Sequence, residues 1–541
     1  MAIGGLSAPD WTLVAAYLGA VLFFGLRAGG RQRSTRDYFL GDRSLPFWAV
    51  ALSILATETS AATYIGTPAS AYRQGWQYLQ MVLGFVLARL FLAFYFVRVY
   101  YRAEVMTVYG YLKQRFGEPV RVVAAVLFLF GRVIGSGVRL YAACLAVQAA
   151  AGFHDERALI LTIAALGLIA LAYTLLGGIR AVVWTECILG TTLLLGGAVT
   201  VIFLLARMPG GFAGVTALPE FADKLRIFEF APEPGTSWPE WLRTTRPFWI
   251  GLGGGFVLNL ATHGTDQDIV QRMLTCSDWK KGGLSLVASA ALILPLNVLF
   301  LSIGSLLYFY HQLRPESVPA DAGRPEDYFL LFVAGEMPTG LAGLVLAGLL
   351  AVAVSSHTSV LNALASTSIA DFYRPHFVRE AGERHYLAAS RAFTAFWGAV
   401  LIVVAACFIG SGQNVLEIAL QTLTYFYGSL LGVFLLGIFT RRGNSASATA
   451  GMLLAVPVVL LFQAREFLEN PALAPSAARA ILGALPDAIT GAVRAGVPRL
   501  AWPLWIVVGT AVSFAIGVAG RPPALSPAPE PPERTTSRSS A

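Results

Sequence analysis

Apolar stretches of about 20 residues recur along the whole chain, each long enough for a helix to cross the hydrocarbon core of a bilayer. Apolar and polar residues do not alternate within them. They therefore read as helices, because lipid offers an open strand no partner for its backbone. About thirteen such stretches can be counted at that length. They are residues 9–28, 46–72, 77–101, 119–150, 157–176, 181–207, 247–273, 283–311, 338–371, 387–410, 415–439, 445–463 and 500–519. The expectation is an all-α polytopic membrane protein, one helical bundle embedded in a lipid bilayer. Only 13% of the 541 residues are charged, where a soluble globular protein carries roughly a quarter.

The net charge of +8 would suit a nucleic-acid partner in a soluble protein. Here the basic residues collect in alternate loops instead: RAGGRQRSTRDYFLGDR, RAEVMTVYGYLKQR, QRMLTCSDWKKG, RPHFVREAGERHYLAASR and TRRGN. That bias places these loops in the cytoplasm, the N-terminus outside and the C-terminus inside, with no nucleic acid involved. The opening MAIGGLSAPDW has no basic n-region, so no removable signal peptide is expected. Cys144, Cys187, Cys276 and Cys407 show neither a disulfide framework nor metal-ligand spacing. The Pro- and Ser-rich tail, residues 521–541, is expected to be a disordered cytoplasmic extension.

Three polar clusters interrupt the apolar pattern. The stretch 46–72 carries ATETSAATYIGTP, and 247–273 carries GLGGGFVLNLATHGTDQD, with Asn259 among its polar residues. Two interrupted segments in corresponding places point to a transporter site. In the first, Gly66, Pro68 and the Thr run suggest a break that frees the carbonyls of Ala56 and Thr59. The third cluster is SSHTS in 338–371. Ser355 and Ser359 are four apart and Ser355 and Thr358 three apart, so they share a helix face, with Ser356 one step round. Their neutral oxygens suit a singly charged hard cation. Hydroxyls that bind helix to helix are the ordinary alternative.

Ionisable side chains at membrane depth cost roughly 2.5–3.5 kcal/mol each on insertion scales, so each needs a partner or a function. Glu58, Arg132, Arg139 and Glu186 stand out, and Arg89 is a further charge that could pair with one of the acids. Arg132 and Arg139 are seven apart and project from one face. Glu186 lies near the cytoplasmic start of its stretch, where an acid facing water is the plain alternative. Glu58 and Arg139 both fall near mid-depth. They could pair with each other. Equally, Glu58 could hold a cation, a proton or an ammonium, and Arg139 could grip a carboxylate through two bonds. His263 and His357 read as hydrogen-bonded packing residues rather than metal ligands. GLGGG at 251–255 follows no strand and is no phosphate loop.

Six motifs together resemble the sodium:solute symporter family, which includes sodium/glucose, sodium/proline, monocarboxylate and sialic acid symporters. They are DYFLGDRSLPFWAVALS, GTPASAYRQG, YTLLGGIRAVVWTE, GTDQDIVQRMLTCSD, SSHTSVLNALASTSIADFY and GSLLGVFLLGIFTRR, and the likeness spans about residues 10–440. The resemblance implies a LeuT-like fold of two inverted five-helix repeats working by alternating access. It divides the chain into an N-terminal helix and loop (1–45), a first repeat (46–207), an outer loop (208–246), a second repeat (247–440), two C-terminal helices (441–520) and the tail.

By the same resemblance, the principal sodium site takes the carbonyls of Ala56, Thr59 and Val352 and the hydroxyls of Ser355 and Ser356. A second sodium would use Ser355, Thr358, Ser359 and Glu186. Glu186 stands where the family usually has Asp, and Leu189 where it has Gln. Ala62, Thr63 and Val82 replace the polar residues of sugar-transporting members, which argues against a sugar. Arg139 matches an arginine that takes the substrate carboxylate in sialic acid members, and Ser60 and Thr63 match hydroxyls of that site. Proline-transporting members carry an acid at the place of Glu58 that serves sodium.

The expected function is sodium-coupled import of a small organic solute bearing a carboxylate, with Glu58, Ser60, Thr63, Arg139 and Asn259 lining its site. Na+ is the coupling ion. No nucleophile–base pair or cofactor loop points to an enzyme. A proton-coupled carrier is the nearer alternative, with Glu58 and Glu186 as relay groups. A solute sensor is the more distant one, since the tail is too short to fold as a signalling domain.

Overall fold

In lipid every backbone polar group must find its partner within its own segment, and the chain is accordingly helical. The computed structural model describes residues 7–521 except 31, 33, 153, 154, 319–324, 410–414, 472, 473 and 475. Among the described residues there is no β-strand. The main helices are α1 (Ala8–Gly29), α2 (Phe47–Glu58), α3 (Ala61–Arg73), α4 (Tyr78–Arg102), α5 (Glu118–Ala151), α6 (Glu156–Arg207) and α7 (Phe248–Gly264). They continue with α8 (Gln267–Met273), α9 (Trp279–Leu313), α10 (Leu341–Thr367), α11 (Glu383–Ala406), α12 (Val415–Phe439), α13 (Ser445–Glu469) and α14 (Trp505–Ala519). The expected tail, from residue 522 onward, lies outside the described residues.

Ten described helices are long and apolar enough to cross a membrane, or eleven if Thr35–Arg43 and α2, which meet at 116°, form one span. The other stretches of the sequence count are not single straight helices. Residues 46–72 divide into α2 and α3, and 247–273 into α7 and α8. Residues 157–176 run on into the next stretch as α6, which turns at Gly178. Gly178 has φ 58° and ψ −171°, and a Cβ there would lie 3.0 Å from the carbonyl oxygen of Tyr38. Only glycine takes that backbone without strain.

The break in residues 46–72 falls at Thr59–Ser60, not at Pro68. Both residues are extended, with ψ 105° and 169°. Pro68 sits inside α3. Thr57 turns its hydroxyl onto the Ser53 carbonyl at 2.8 Å and the Glu186 carboxylate at 3.1 Å, and such side-chain bonds compete with the helical ladder. In the second interrupted stretch the break falls at Thr265–Asp266. Asp266 caps α8 by accepting the Asp268 N–H at 2.8 Å.

α10 is the central helix, buried along nearly its whole length. Its start is held from outside: Asp10 of α1 accepts the N–H groups of Gly340 and Gly343 at 2.7 and 3.0 Å. α4 and α7 approach closely across glycines. A Cβ on Gly84 would lie 2.3 Å from the Leu252 oxygen, and one on Gly255 2.3 Å from the Met81 oxygen. Phe94, Phe130, Leu161 and Ile202 point outward, as lipid contact favours.

Candidate functional site

The two helix breaks and the middle of α5 meet at a cavity that is partly open to solvent. Glu58, Ser60, Thr63, Arg139 and Asn259, the five solute-site residues read from the sequence, all line it, together with Arg132, His263 and Asp266. Tyr78 and Leu420 line both this cavity and an adjoining one bounded by Ser70, Arg73, Thr245 and Trp502. The cavity therefore leads toward the side of the 208–246 loop.

Glu58 and Arg139 do not pair. Glu58 is bonded to Arg89, and His263 Nε2 lies 3.0 Å from the same oxygen, Oε2. Arg89 is fully buried, and it also donates to Ser289 at 3.0 Å and Asn259 at 3.4 Å. The close approach of α4 and α7 makes this cluster. Glu58 Oε1 is buried with no hydrogen-bond partner among the described residues. Arg139 makes no hydrogen bond or ion pair to a described residue, yet its side chain borders the cavity. Its guanidinium is thus available to a ligand. The Ser60 and Thr63 hydroxyls lie 3.5 Å apart beside it.

The neutral oxygens suited to sodium lie where α2 ends against α10. The last bond of α2 runs from Thr59 N–H to the Leu55 carbonyl at 3.1 Å, which leaves the following carbonyls, beginning with Ala56, without helical donors. On α10, Val352, Ser355 and Ser356 are buried. The Ser356 Oγ and the Thr59 Oγ1 have no hydrogen-bond partner among the described residues. An orphaned buried hydroxyl is costly unless something fills its valence, and a monovalent cation held by neutral oxygens would do so.

Glu186 does not face water, the plain alternative for an acid near the start of its stretch. It is fully buried, and Arg272 grips it, with Nη2 to Oε1 at 2.8 Å and Nε to Oε2 at 3.2 Å. Ser53, Thr57 at 3.1 Å and Ser355 at 3.2 Å also donate to this carboxylate. Of the other two hydroxyls expected at a second sodium, Thr358 donates to the Ser355 carbonyl at 2.9 Å and Ser359 to Asp268 Oδ1 at 2.6 Å. A sodium ion on Glu186 would lie against the guanidinium. Like charges about 4 Å apart repel by about 4 kcal/mol at an effective dielectric of about 20.

Beyond Glu186 the charges continue as one chain. Arg272 also donates to Asp268 Oδ1 at 2.6 Å; Arg132 bonds Asp268 and, at 3.0 Å, Asp266; the Tyr427 hydroxyl donates to Asp266 at 2.7 Å. Arg132 and Arg139, seven residues apart on α5, so have different roles: one is consumed by α8 and the other is not. Sequence reasoning missed Asp266, Asp268 and Arg272, and it counted Arg272 with a cytoplasmic loop. The signal was present, because all three fall within an apolar stretch where the cost that singled out Glu58 applies equally.

A model described as the sodium:solute symporter family matches residues 38–455. The sodium/sialic acid symporter NanT of Aliivibrio fischeri is 29% identical over 454 residues, 83% of this chain and 87% of that protein. The sodium/sialic acid symporter SiaT of Proteus mirabilis is 29% identical over 456 residues, 83% and 88% of the two chains. A solved Na+-coupled sialic acid symporter in a substrate-bound outward-open state has the same fold, with a TM-score of 0.80 at 24% identity over 95% of this chain and 97% of that one. The chain belongs to the sodium:solute symporter family, and it is a sodium-coupled membrane carrier of a small solute rather than an enzyme.

Proposed function

We propose that the protein imports a small organic acid, held by its carboxylate on Arg139, together with Na+. The unpaired guanidinium of Arg139 in the central cavity carries this reading, because Arg presents a planar fork that matches a carboxylate. Ser60, Thr63 and Asn259 would bond the rest of the solute, and the sialic acid relatives make a sugar acid a natural first probe. Sodium binds the carbonyls of Ala56, Thr59 and Val352 and the hydroxyls of Ser355 and Ser356. The orphaned Ser356 hydroxyl supports that assignment.

In this reading the chain crosses the membrane thirteen times, with its N-terminus outside and its basic loops in the cytoplasm. Residues 46–207 and 247–440 are two inverted repeats, each opened by its interrupted helix, and they rock around the site between them. Proton coupling is the weaker reading, because Glu58 and Glu186 are both bonded to buried arginines. A thermal-shift screen of sialic acid, short monocarboxylates, amino acids and sugars, each in Na+ and in K+, tests the proposal. Stabilisation by an acid in Na+ only is expected. Stabilisation by a neutral sugar alone, or equally in K+, would overturn it.

A further inference from the structure

We infer that the carrier moves one Na+ with each monocarboxylate anion, so that its transport cycle carries no net charge. This rests on the reading that the solute is a carboxylate bound at Arg139. Two observations lead to it.

The first is that Glu186 already has partners on both of its oxygens. Its two oxygens receive two bonds from Arg272 and one each from Ser53, Thr57 and Ser355. A carboxylate offers about four lone-pair sites, and these donors already occupy both oxygens, with the Arg272 Nε–H shared with Ser53 Oγ at 3.0 Å and the Thr57 hydroxyl shared with the Ser53 carbonyl at 2.8 Å, so a metal ion would have to displace donors already in place. The guanidinium of Arg272 supplies the positive charge that a second sodium would bring. Asp268 is closed in the same way by Arg132, Arg272 and Ser359.

The second is that the charged centre around the cavity balances without ligands. Its acids are Glu58, Glu186, Asp266 and Asp268, and its bases are Arg89, Arg132, Arg139 and Arg272. Four negative charges meet four positive ones, with His263 beside Glu58 counted as neutral and Arg139 the member of the set that has no acid in contact. Uncompensated charge is expensive in a membrane protein's interior. One Na+ on neutral oxygens leaves the centre at plus one, and one carboxylate on Arg139 returns it to zero. Either ligand alone leaves an excess charge that the other removes. That is a physical source of coupling, and it is reciprocal. A second Na+ would leave the loaded carrier positive.

The test uses the full-length carrier. Equilibrium binding of 22Na+ to the purified protein is expected to saturate at one ion per chain, and two ions would overturn the inference without reference to any solute. In proteoliposomes, with sialic acid as the probe, uptake is expected to rise with Na+ without sigmoidicity. It is also expected to be unchanged by an inside-negative potassium diffusion potential set with valinomycin. Uptake driven faster by that potential would overturn it. Glu186→Gln removes the carboxylate that a second ion would need. An unchanged count of one ion supports the inference, and a count that falls from two to one overturns it. Should that variant fail to fold, the wild-type count and the voltage response decide. If Arg139→Gln still takes up the probe, the carboxylate reading fails, and the electrical silence with it, while the single-ion count stands on its own measurement.

Discussion

Arg272 on α8 and Glu186 on α6 form a two-bonded ion pair, 2.8 and 3.2 Å long, with both side chains only 1% exposed. It ties the second interrupted helix to α6, whose Glu186 also accepts from Ser355 of α10. Removing one partner of a buried pair leaves the other uncompensated and costs about 3–5 kcal/mol. Arg272→Gln is therefore expected to lower the melting temperature sharply, and Arg272→Gln with Glu186→Gln to recover part of the loss. A double variant no more stable than the worse single one would show that the pair is not the source of the effect.

Ser356→Ala is expected to raise the Na+ concentration for half-maximal uptake about tenfold or more, corresponding to about 1.4 kcal/mol of ion binding. Its hydroxyl has no other hydrogen-bond partner among the described residues, so stability in the absence of Na+ is expected to hold. An unchanged Na+ dependence would remove Ser356 from the site.

Arg139→Lys and Arg139→Gln are both expected to abolish solute-induced stabilisation while Na+ alone still stabilises the protein. Lys retains the charge but loses the planar fork, and Arg139 is in no ion pair with a described residue whose loss would confuse the result. Calorimetric titration of each variant with the acid found in the thermal screen reads the outcome. Retained affinity in the Gln variant would refute the assignment.

Glu58 answers to Arg89 and His263 rather than to Arg139. Glu58→Gln is expected to destabilise the fold by a few kcal/mol, since Arg89 is fully buried, while the Na+ half-saturation changes little. Unfolding curves and Na+-dependent uptake measured on the same preparation separate the two effects. A large shift in Na+ dependence at unchanged stability would make Glu58 an ion-coupling acid instead.

Gly255→Val is expected to destabilise the bundle and weaken solute uptake together. A Cβ there would lie 2.3 Å from the Met81 oxygen, so α7 must move off α4, and the Arg89–Asn259 contact lies on that seam. Gly253→Val on the same helix, where no atom lies within 4 Å of the new Cβ, serves as the control and is expected to be mild.

What the sequence determined by itself is the membrane character, the helical class, the family likeness and the three polar clusters. All of these are local signals: apolar length, the cost of charge at depth, and oxygens sharing one helix face. Even the two interrupted stretches were readable, and the first break falls at Thr59–Ser60, beside the carbonyls that the sequence expected it to free. Only the tertiary structure decided which charges are spent. Arg132 and Arg139 look alike along α5, and Glu58 and Glu186 look alike as lone acids. Their partners, Asp266 and Asp268 for Arg132, Arg89 for Glu58 and Arg272 for Glu186, come from other helices. An ion pair is made by distance in space, and no spacing along the chain encodes whether a guanidinium from a distant helix reaches a given carboxylate. That is why Arg139 stands apart, as a charge that borders the cavity without a described partner, only when the other three arginines have been placed against their acids.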